Sequence, residues 1–178
     1  MTYIGIDPGL SGCMVAIDEN KHIINYRDIE KIGDRIDINE IVKWFNQFDK
    51  QDCIAYCENP HVHAGDSIKT CYAAFCYGRS VATVQTIPQV LGFTTELLTP
   101  MTWKAYFGLV DKSSTYEQRK QKSVDLAITL FPDQQSIFVE EKQQGRVIRT
   151  INHHDRAEAG LIAIYGLETH ITNTKKSH

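Results

Sequence analysis

The stretch TYIGIDPG, residues 2–9, opens the chain with an apolar run that ends on a carboxylate, Asp7. A short apolar run bounded by turn residues is typical of a buried strand. Burying a carboxylate at the end of such a strand is costly unless a partner or an ion neutralises it. The stretch therefore predicts a central strand that carries a functional acid, although Asp-Pro-Gly is also ordinary turn chemistry.

Two further acidic motifs follow, IAYCEN at residues 54–59 and HDRAEA at residues 154–159. Glu58 ends a second apolar run in the same way. Asp155 and Glu158 are spaced i, i+3, which places both on one face of a helix. If these elements converge, four carboxylates meet, and because like charges repel, such a cluster indicates a divalent-metal site.

Outward from the first stretch, apolar patterns and turn residues predict an α/β chain. Three strands joined by short turns form an antiparallel meander, and helix–strand alternation follows. Residues 133–153 are the least regular segment, with strand character at 147–151 and a candidate hairpin turn at 143–145. The predicted strands span about residues 2–8, 12–18, 22–29, 53–58 and 93–98, and the predicted helices about 38–49, 66–84, 100–107, 115–131 and 154–169.

Together these elements predict a mixed five-stranded sheet flanked by helices, with the ends of the first and fourth strands side by side. Residues 1–171 are expected to form a single domain, and residues 172–178 a frayed polar tail. A predicted strand that begins at residue 2 leaves no room for a signal peptide, and no apolar run is long enough to cross a membrane. The expected location is the cytoplasm, that of the host cell if the protein is viral.

The five cysteines are odd in number and lie within apolar segments. This pattern favours reduced, buried thiols over a disulfide framework. Cys53 and Cys57 lack the close spacing of a zinc site. We therefore expect reduced thiols in a cytosolic compartment and no zinc site.

The net charge of -3 does not indicate a nucleic-acid partner, but the charges are unevenly distributed. Residues 99–122 contain five cations and two anions, whereas acids outnumber bases in residues 18–58. A basic segment on an acidic protein can steer a polyanion to one face. The alternative is that this segment is only a solvated helix face.

The segment Gly5-Ile6-Asp7-Pro8-Gly9 resembles the opening motif of the RuvC family of Holliday-junction resolvases, within the RNase H-like superfamily. Other segments are similar to phage-type members of that family, in the same order along the chain. They are ENPHVH at residues 58–63, YGRS at 77–80, LTPMTWK at 98–104, LFP at 130–132 and DRAEA at 155–159.

This resemblance implies an RNase H-like fold, a homodimer, and hydrolysis of branched DNA such as the four-way junction, in recombination and repair. It implies Mg²⁺ or Mn²⁺ as cofactor, with two ions per active site. Two metal ions about 3.5–4 Å apart can activate water and stabilise the leaving oxygen, so no protein nucleophile is needed. The catalytic and metal-binding positions of the family fall on Asp7, Glu58, Asp155 and Glu158.

Lys104 and Lys120 match two lysine positions of the family, and His61 takes the place of an aromatic residue that probes the junction centre. Together with their basic neighbours, these residues predict a DNA-binding surface. The candidate DNA-binding residues are Lys104, Lys120, Lys122, Arg119, His61 and Arg79. Position 158 is commonly Asp in the family, so the longer Glu158 is a departure that could alter the metal spacing.

Each of these residues also has a structural interpretation. Asp155 and Glu158 could form only a helix cap and its capping box. Arg79 could pair with Glu58, or, with Tyr77 and Gly78, pack its helix against the partner subunit, and Trp103 is expected to lie in the core. The functional alternatives are an RNase H-like nuclease acting on structured RNA and a non-catalytic protein that binds branched DNA.

Overall fold

Five strands form one mixed sheet at the centre of the computed structural model, which describes residues 1–60, 71–111, 113–144 and 147–176. These strands are β1 Thr2–Asp7, β2 Cys13–Ile17, β3 Ile23–Asp28, β6 Cys53–Glu58 and β7 Thr94–Leu98. Their order in the sheet is β3-β2-β1-β6-β7, with β1, β2 and β3 antiparallel and β6 and β7 parallel to β1. The predicted α/β class and five-stranded mixed sheet are confirmed.

The parallel register of β1 and β6 places their acidic ends together. Ile6 pairs with Cys57, so Asp7 and Glu58 both end their strands at the same edge of the sheet. Parallel strands present their carboxyl ends on one side, where open α/β sheets commonly bind ligands. The predicted adjacency of the first and fourth predicted strand ends is therefore confirmed.

Helices cover both faces of the sheet. Tyr3 and Tyr56 face a core formed with the last three helices, whereas Ile4 and Ile6 face a core formed with the first two. This alternation follows from the two-residue period of a strand buried on both faces. The helices are α1 Ile38–Phe45, α2 Cys71–Val90, α3 Pro100–Tyr106, α4 Tyr116–Leu130 and α5 His154–Lys176.

Gly5 lets α5 approach β1 closely. A Cβ built on Gly5 would lie 2.0 Å from the carbonyl oxygen of Ala159 and 2.4 Å from the backbone nitrogen of Ala163. No side chain fits there, so the backbone of the helix rests directly on the strand. This contact sets the height at which the first turns of α5 stand above the end of β1.

Two predicted helices are longer in the structure. α2 continues to Val90, past the predicted end at residue 84, with Pro88 buried in its last turn. Helix α5 continues to Lys176, so residues 172–176 are helical and not the predicted tail. The hydroxyls of Thr172 and Thr174 donate to backbone carbonyls four residues earlier, at 2.8 and 2.9 Å. The predicted start of α2 at about residue 66 lies outside the described residues.

A predicted hairpin is confirmed, and a second one was not predicted. Strands β8 Val139–Gln144 and β9 Val147–Asn152 pair antiparallel, and residues 145–146 of their turn lie outside the described residues. A small hairpin, β4 Lys31–Ile32 with β5 Arg35–Ile36, precedes α1. Two-residue strands are too short to show a periodic pattern, which is why the sequence did not reveal them.

The cysteines are free thiols, and four of them are buried, as predicted. Cys71 is exposed at the first described turn of α2, so the prediction that all five are buried was wrong for this one. None of the helices in the described ranges is long and apolar enough to cross a membrane.

Candidate active site

The four predicted carboxylates line one cleft at the carboxyl ends of β1 and β6. Asp7 and Glu58 come from the strand ends, and Asp155 and Glu158 come from the first turns of α5. The cleft has a volume of about 590 Å³. The structure therefore brings together the acids of three motifs that are far apart in the sequence, and their role in binding metal stays a prediction.

The negative charge of Asp7 is unfavourable in this cleft. Burial, and then the charges of Glu158, Glu58 and Asp155, raise the pKa of Asp7 well above its usual value, while Lys104 opposes the shift. Because the ionised form of Asp7 is unfavourable in the bare cleft, a bound cation would relieve a cost that the fold carries.

Glu58 is buried with 7% of its surface exposed, and its partners hold it in place. The indole Nε1 of Trp103 donates a hydrogen bond to Glu58 Oε1 at 3.0 Å. Burial raises the pKa of Glu58, and Lys104 and the indole hydrogen bond act in the opposite direction. The carboxylate thus has one oxygen engaged by a neutral donor.

Two lysines supply positive charge beside the other acids. Lys104 Nζ lies 3.3 Å from Glu158 Oε2, and Lys120 Nζ lies 3.6 Å from Asp155 Oδ1. Their ammonium groups lie where a cation would be stabilised by the same carboxylates. Each ammonium group therefore offsets part of the negative charge of the acid that it contacts.

The donor set of the cleft suits a hard cation, since Mg²⁺ and Mn²⁺ prefer carboxylate oxygens and water. Within the described ranges, no three His, Cys, Asp or Glu side chains are gathered closely enough to enclose a metal ion. Lys104 and Lys120 engage Glu158 and Asp155, so those two acids point at ammonium groups. The carboxylate oxygens are thus suitable ligands for the metal, but in this structure they are not gathered around one position.

The alternative that Asp155 and Glu158 form a capping box is wrong. Helix α5 begins at His154, and the carbonyl of His153 accepts from the backbone nitrogen of Ala157, so Asp155 lies inside the helix. Glu158 is 9% exposed and accepts a hydrogen bond from Ser123 Oγ at 3.3 Å. Its carboxylate faces the cleft instead of returning to the helix start.

Three of the predicted DNA-binding residues, Lys104, Lys120 and Arg119, line the cleft. Lys122 does not line it and instead pairs with Asp111 at 2.6 Å. This pair ties the start of α4 to the preceding loop, because Asp111 also accepts from two nearby serines. Lys122 is therefore held away from the cleft.

Arg79 likewise faces away from the carboxylates. It donates to both the side chain and the backbone carbonyl of Asp34, at 3.0 and 2.9 Å, and so joins α2 to the β4–β5 turn. The predicted alternative of an Arg79–Glu58 pair is wrong, because Arg79 bonds to Asp34. Its packing against a partner subunit stays a prediction. His61 and Lys112 lie outside the described residues.

Sequence reasoning missed other residues of the cleft, notably Tyr77 of α2 and Tyr116 and Ser123 of α4. Burial, and then Glu58, Asp7 and other groups, raise the pKa of Tyr77 to about 12, so its hydroxyl stays a donor. The YGRS segment resembles the family motif but did not indicate that Tyr77 faces the carboxylates. The sequence alone does not show which way a hydroxyl side chain on a helix points.

No family model and no curated protein matches this chain. Solved structures do match it along nearly its full length. RuvC of Thermus thermophilus in complex with a Holliday junction substrate superimposes with a TM-score of 0.62 at 12% identity, covering 97% of this chain and 96% of that one. A structure of Thermus thermophilus RuvC gives 0.59 at 10% identity, covering 97% of both chains. The chain therefore has the RuvC-type RNase H-like fold that its motifs predicted.

Proposed function

We propose that this protein is a metal-dependent endonuclease that cuts four-way and other branched DNA junctions by hydrolysing phosphodiesters at paired sites. The observation that carries the proposal is the meeting of Asp7, Glu58, Asp155 and Glu158 in one cleft of a RuvC-type fold. A solved neighbour with this fold is a complex with a Holliday junction substrate, which favours branched DNA as the substrate.

The direct test is incubation of the purified protein with a synthetic four-way junction, a linear duplex and a structured RNA. Each is tried with Mg²⁺, with Mn²⁺ and with EDTA. The expected result is paired, symmetric cuts in the junction that require metal. Cleavage of the RNA alone would favour an RNase H-like ribonuclease, and tight junction binding without cutting would favour a non-catalytic binding protein.

Mg²⁺ or Mn²⁺, with two ions per active site, would activate water and neutralise charge on the phosphate. Asp7, Glu58, Asp155 and Glu158 are the residues that would hold it. Lys104 and Lys120 neutralise the acids and attract the phosphate backbone. A thiol nucleophile is not needed, and burial raises the pKa of the Cys13 thiol well above its usual value, which keeps it unreactive.

Phosphate binding by the cleft lysines and Arg119 gives a measurable salt dependence. Lys120→Ala and Arg119→Ala are each expected to lower the slope of log affinity against log salt by roughly one unit, because each removes one phosphate contact. Junction affinity is measured in EDTA over a range of salt concentrations, so that cleavage does not interfere.

Lys122→Ala is the matched control, because Lys122 lies on the same helix but pairs with Asp111 outside the cleft. It should leave the slope unchanged. A slope that falls for Lys122→Ala but not for the cleft variants would mean that DNA follows a different face of α4.

The second subunit of the proposed homodimer would lie on α2. Four residues at helical spacing form an exposed stripe on this helix, which we call the α2 stripe: Cys71, Phe75, Gly78 and Ala82. Phe75 is 63% exposed, and Arg79 contacts its ring, with the guanidinium carbon 5.7 Å from the ring centre. A two-fold dimer suits a four-way junction because it presents two active sites with matching symmetry.

Phe75→Glu is expected to convert the dimer to a monomer in sedimentation at micromolar concentration, because it places a charge in an apolar contact. Paired cuts should then become single nicks, while the chemistry of each site persists. Ile24→Glu, on the exposed edge strand β3, is the control and should leave the mass unchanged. Dimerisation that survives in Phe75→Glu would assign the contact to another surface.

A further inference from the structure

Trp103 is completely buried, yet its one polar atom points at the candidate active site. The residue belongs to α3, which follows β7 after Thr99 caps the helix and Pro100 starts it. Because β7 pairs with β6, with Leu98 opposite Glu58, α3 begins beside that acid. The indole Nε1 then donates to Glu58 Oε1 at 3.0 Å.

The same indole ring also contacts Lys104, one of the two lysines that lie beside the acids. Lys104 Nζ lies 4.8 Å from the centre of the Trp103 ring, within the range of a cation–π interaction. That ammonium group is the one that lies 3.3 Å from Glu158 Oε2. Trp103 therefore contacts one acid directly and contacts a second acid through Lys104.

Core packing alone does not account for this arrangement. The chain has two tryptophans, and the other, Trp44, is 3% exposed and packs against Phe45 and Phe48. The Nε1 of Trp44 has no hydrogen-bond partner among the described residues. The fold thus buries one indole for packing only, and directs the N–H of the other to a buried carboxylate that needs a donor.

We propose that Trp103 is a positioning residue that orients the carboxylate of Glu58 for metal binding and holds Lys104 against Glu158. This inference rests on the proposed function, since it takes Glu58 as a metal ligand. A carboxylate has two oxygens, so with Oε1 engaged by the indole, Oε2 is the oxygen that would act as the ligand. Donors of this kind orient metal ligands, and removing one typically weakens metal affinity about 10–100-fold.

Trp103→Phe removes the N–H and keeps an aromatic ring, and Trp44→Phe is the matched control. Binding of Mn²⁺ is measured by calorimetry on the full chain without DNA. Trp103→Phe is expected to weaken Mn²⁺ binding by about 10–100-fold, and Trp44→Phe to bind like the native protein. The melting temperatures of both variants are also measured. Weaker Mn²⁺ binding by Trp103→Phe without a larger loss of melting temperature than in Trp44→Phe indicates lost orientation of Glu58 instead of a general loss of packing.

A spectroscopic measurement tests the same contact without disturbing it. In Trp44→Phe the sole remaining tryptophan is Trp103, and Mg²⁺ itself neither absorbs nor quenches. Mg²⁺ is expected to change the emission of Trp103, because the hydrogen-bonded carboxylate of Glu58 becomes engaged. Adding Glu58→Gln to this background should abolish the response.

Equal Mn²⁺ affinity in Trp103→Phe and Trp44→Phe would overturn the role of Trp103 while leaving the nuclease proposal intact. If Trp103→Phe does not fold, the emission of Trp44→Phe decides the question. Emission that does not change at saturating Mg²⁺ would also overturn the role of Trp103. A native protein that neither binds Mn²⁺ nor cuts a junction would overturn both the nuclease proposal and this inference.

Discussion

Replacing Asp7 with Asn is expected to abolish junction cleavage and to raise the thermal stability of the protein at neutral pH. The amide keeps the size of the side chain but removes the charge at the centre of the carboxylate cleft. The loss in rate is expected to be on the order of 10²–10³-fold or more, the usual consequence of removing a main electrostatic group from a catalytic site. Binding of the junction in EDTA should be retained.

The gain in stability follows from the direction of the pKa shift. Burial and the charges of Glu158, Glu58 and Asp155 raise the pKa of Asp7. A carboxyl whose pKa is raised by folding stabilises the fold below its unfolded pKa, and this contribution is lost as the pH rises through the folded pKa. At neutral pH in EDTA the native protein carries that cost, and Asp7→Asn does not.

Asp28→Asn is the control with the opposite sign. Its hydrogen bond with Arg156 lowers the pKa of Asp28, so its charge stabilises the fold above the unfolded pKa and the effect is lost as the pH falls. Melting curves in EDTA at several pH values between about 4 and 8 should therefore move in opposite directions for the two variants. The melting temperature of a chain of this size shifts by roughly 2–4 °C for each kcal/mol of change in the free energy of unfolding.

Full cleavage of the junction by Asp7→Asn would refute the metal-site proposal.

The sequence predicts the centre of this molecule well because its signals there are local and mutually consistent. Buried runs end on Asp7 and Glu58, and the pairing of those strands as parallel neighbours brings their ends together. The i, i+3 spacing of Asp155 and Glu158 needs only a helix to put both on one face. Each of these inferences depends on a short segment and a general rule of chain geometry.

The partners of the charged side chains were not predictable in the same way. Arg79 meets Asp34, 45 positions away, through a hairpin too short to leave a periodic signal. Lys122 and Lys120 look equivalent in a count of charges, but two residues along a helix point to different sides. Lys120 therefore faces the cleft, and Lys122 pairs with Asp111 in the loop before α4.

Trp103 shows the limit of apolar patterning. The expectation that this residue lies in the core is confirmed by its 0% exposure. It contains no information on where the indole N–H points, because that depends on the register between β6 and β7 and on the start of α3. The hydrogen bond to Glu58 emerges only from the assembled fold.

Gly5→Ala is expected to damage both the fold and the site, because the position admits no side chain. The new Cβ would stand 2.0 Å from the carbonyl oxygen of Ala159 and 2.4 Å from the nitrogen of Ala163. Both are backbone atoms, so no rotamer change relieves the clash, and α5 must move away from β1. Overpacking of this kind typically costs about 1–3 kcal/mol and occasionally more.

A displacement of α5 also moves Asp155 and Glu158 relative to Asp7, so the same variant should lose cleavage even where it is fully folded. Urea unfolding gives the stability, and cleavage is measured well below the melting temperature. Gly78→Ala is the control for stability only, because a Cβ there meets nothing within 4 Å among the described residues and alanine favours a helix by up to about 1 kcal/mol. Its cleavage is not compared, since Gly78 belongs to the α2 stripe. A Gly5→Ala variant with native stability and native cleavage would show that α5 and β1 tolerate separation. The close approach of their backbones would then not be what holds the two pairs of acids together.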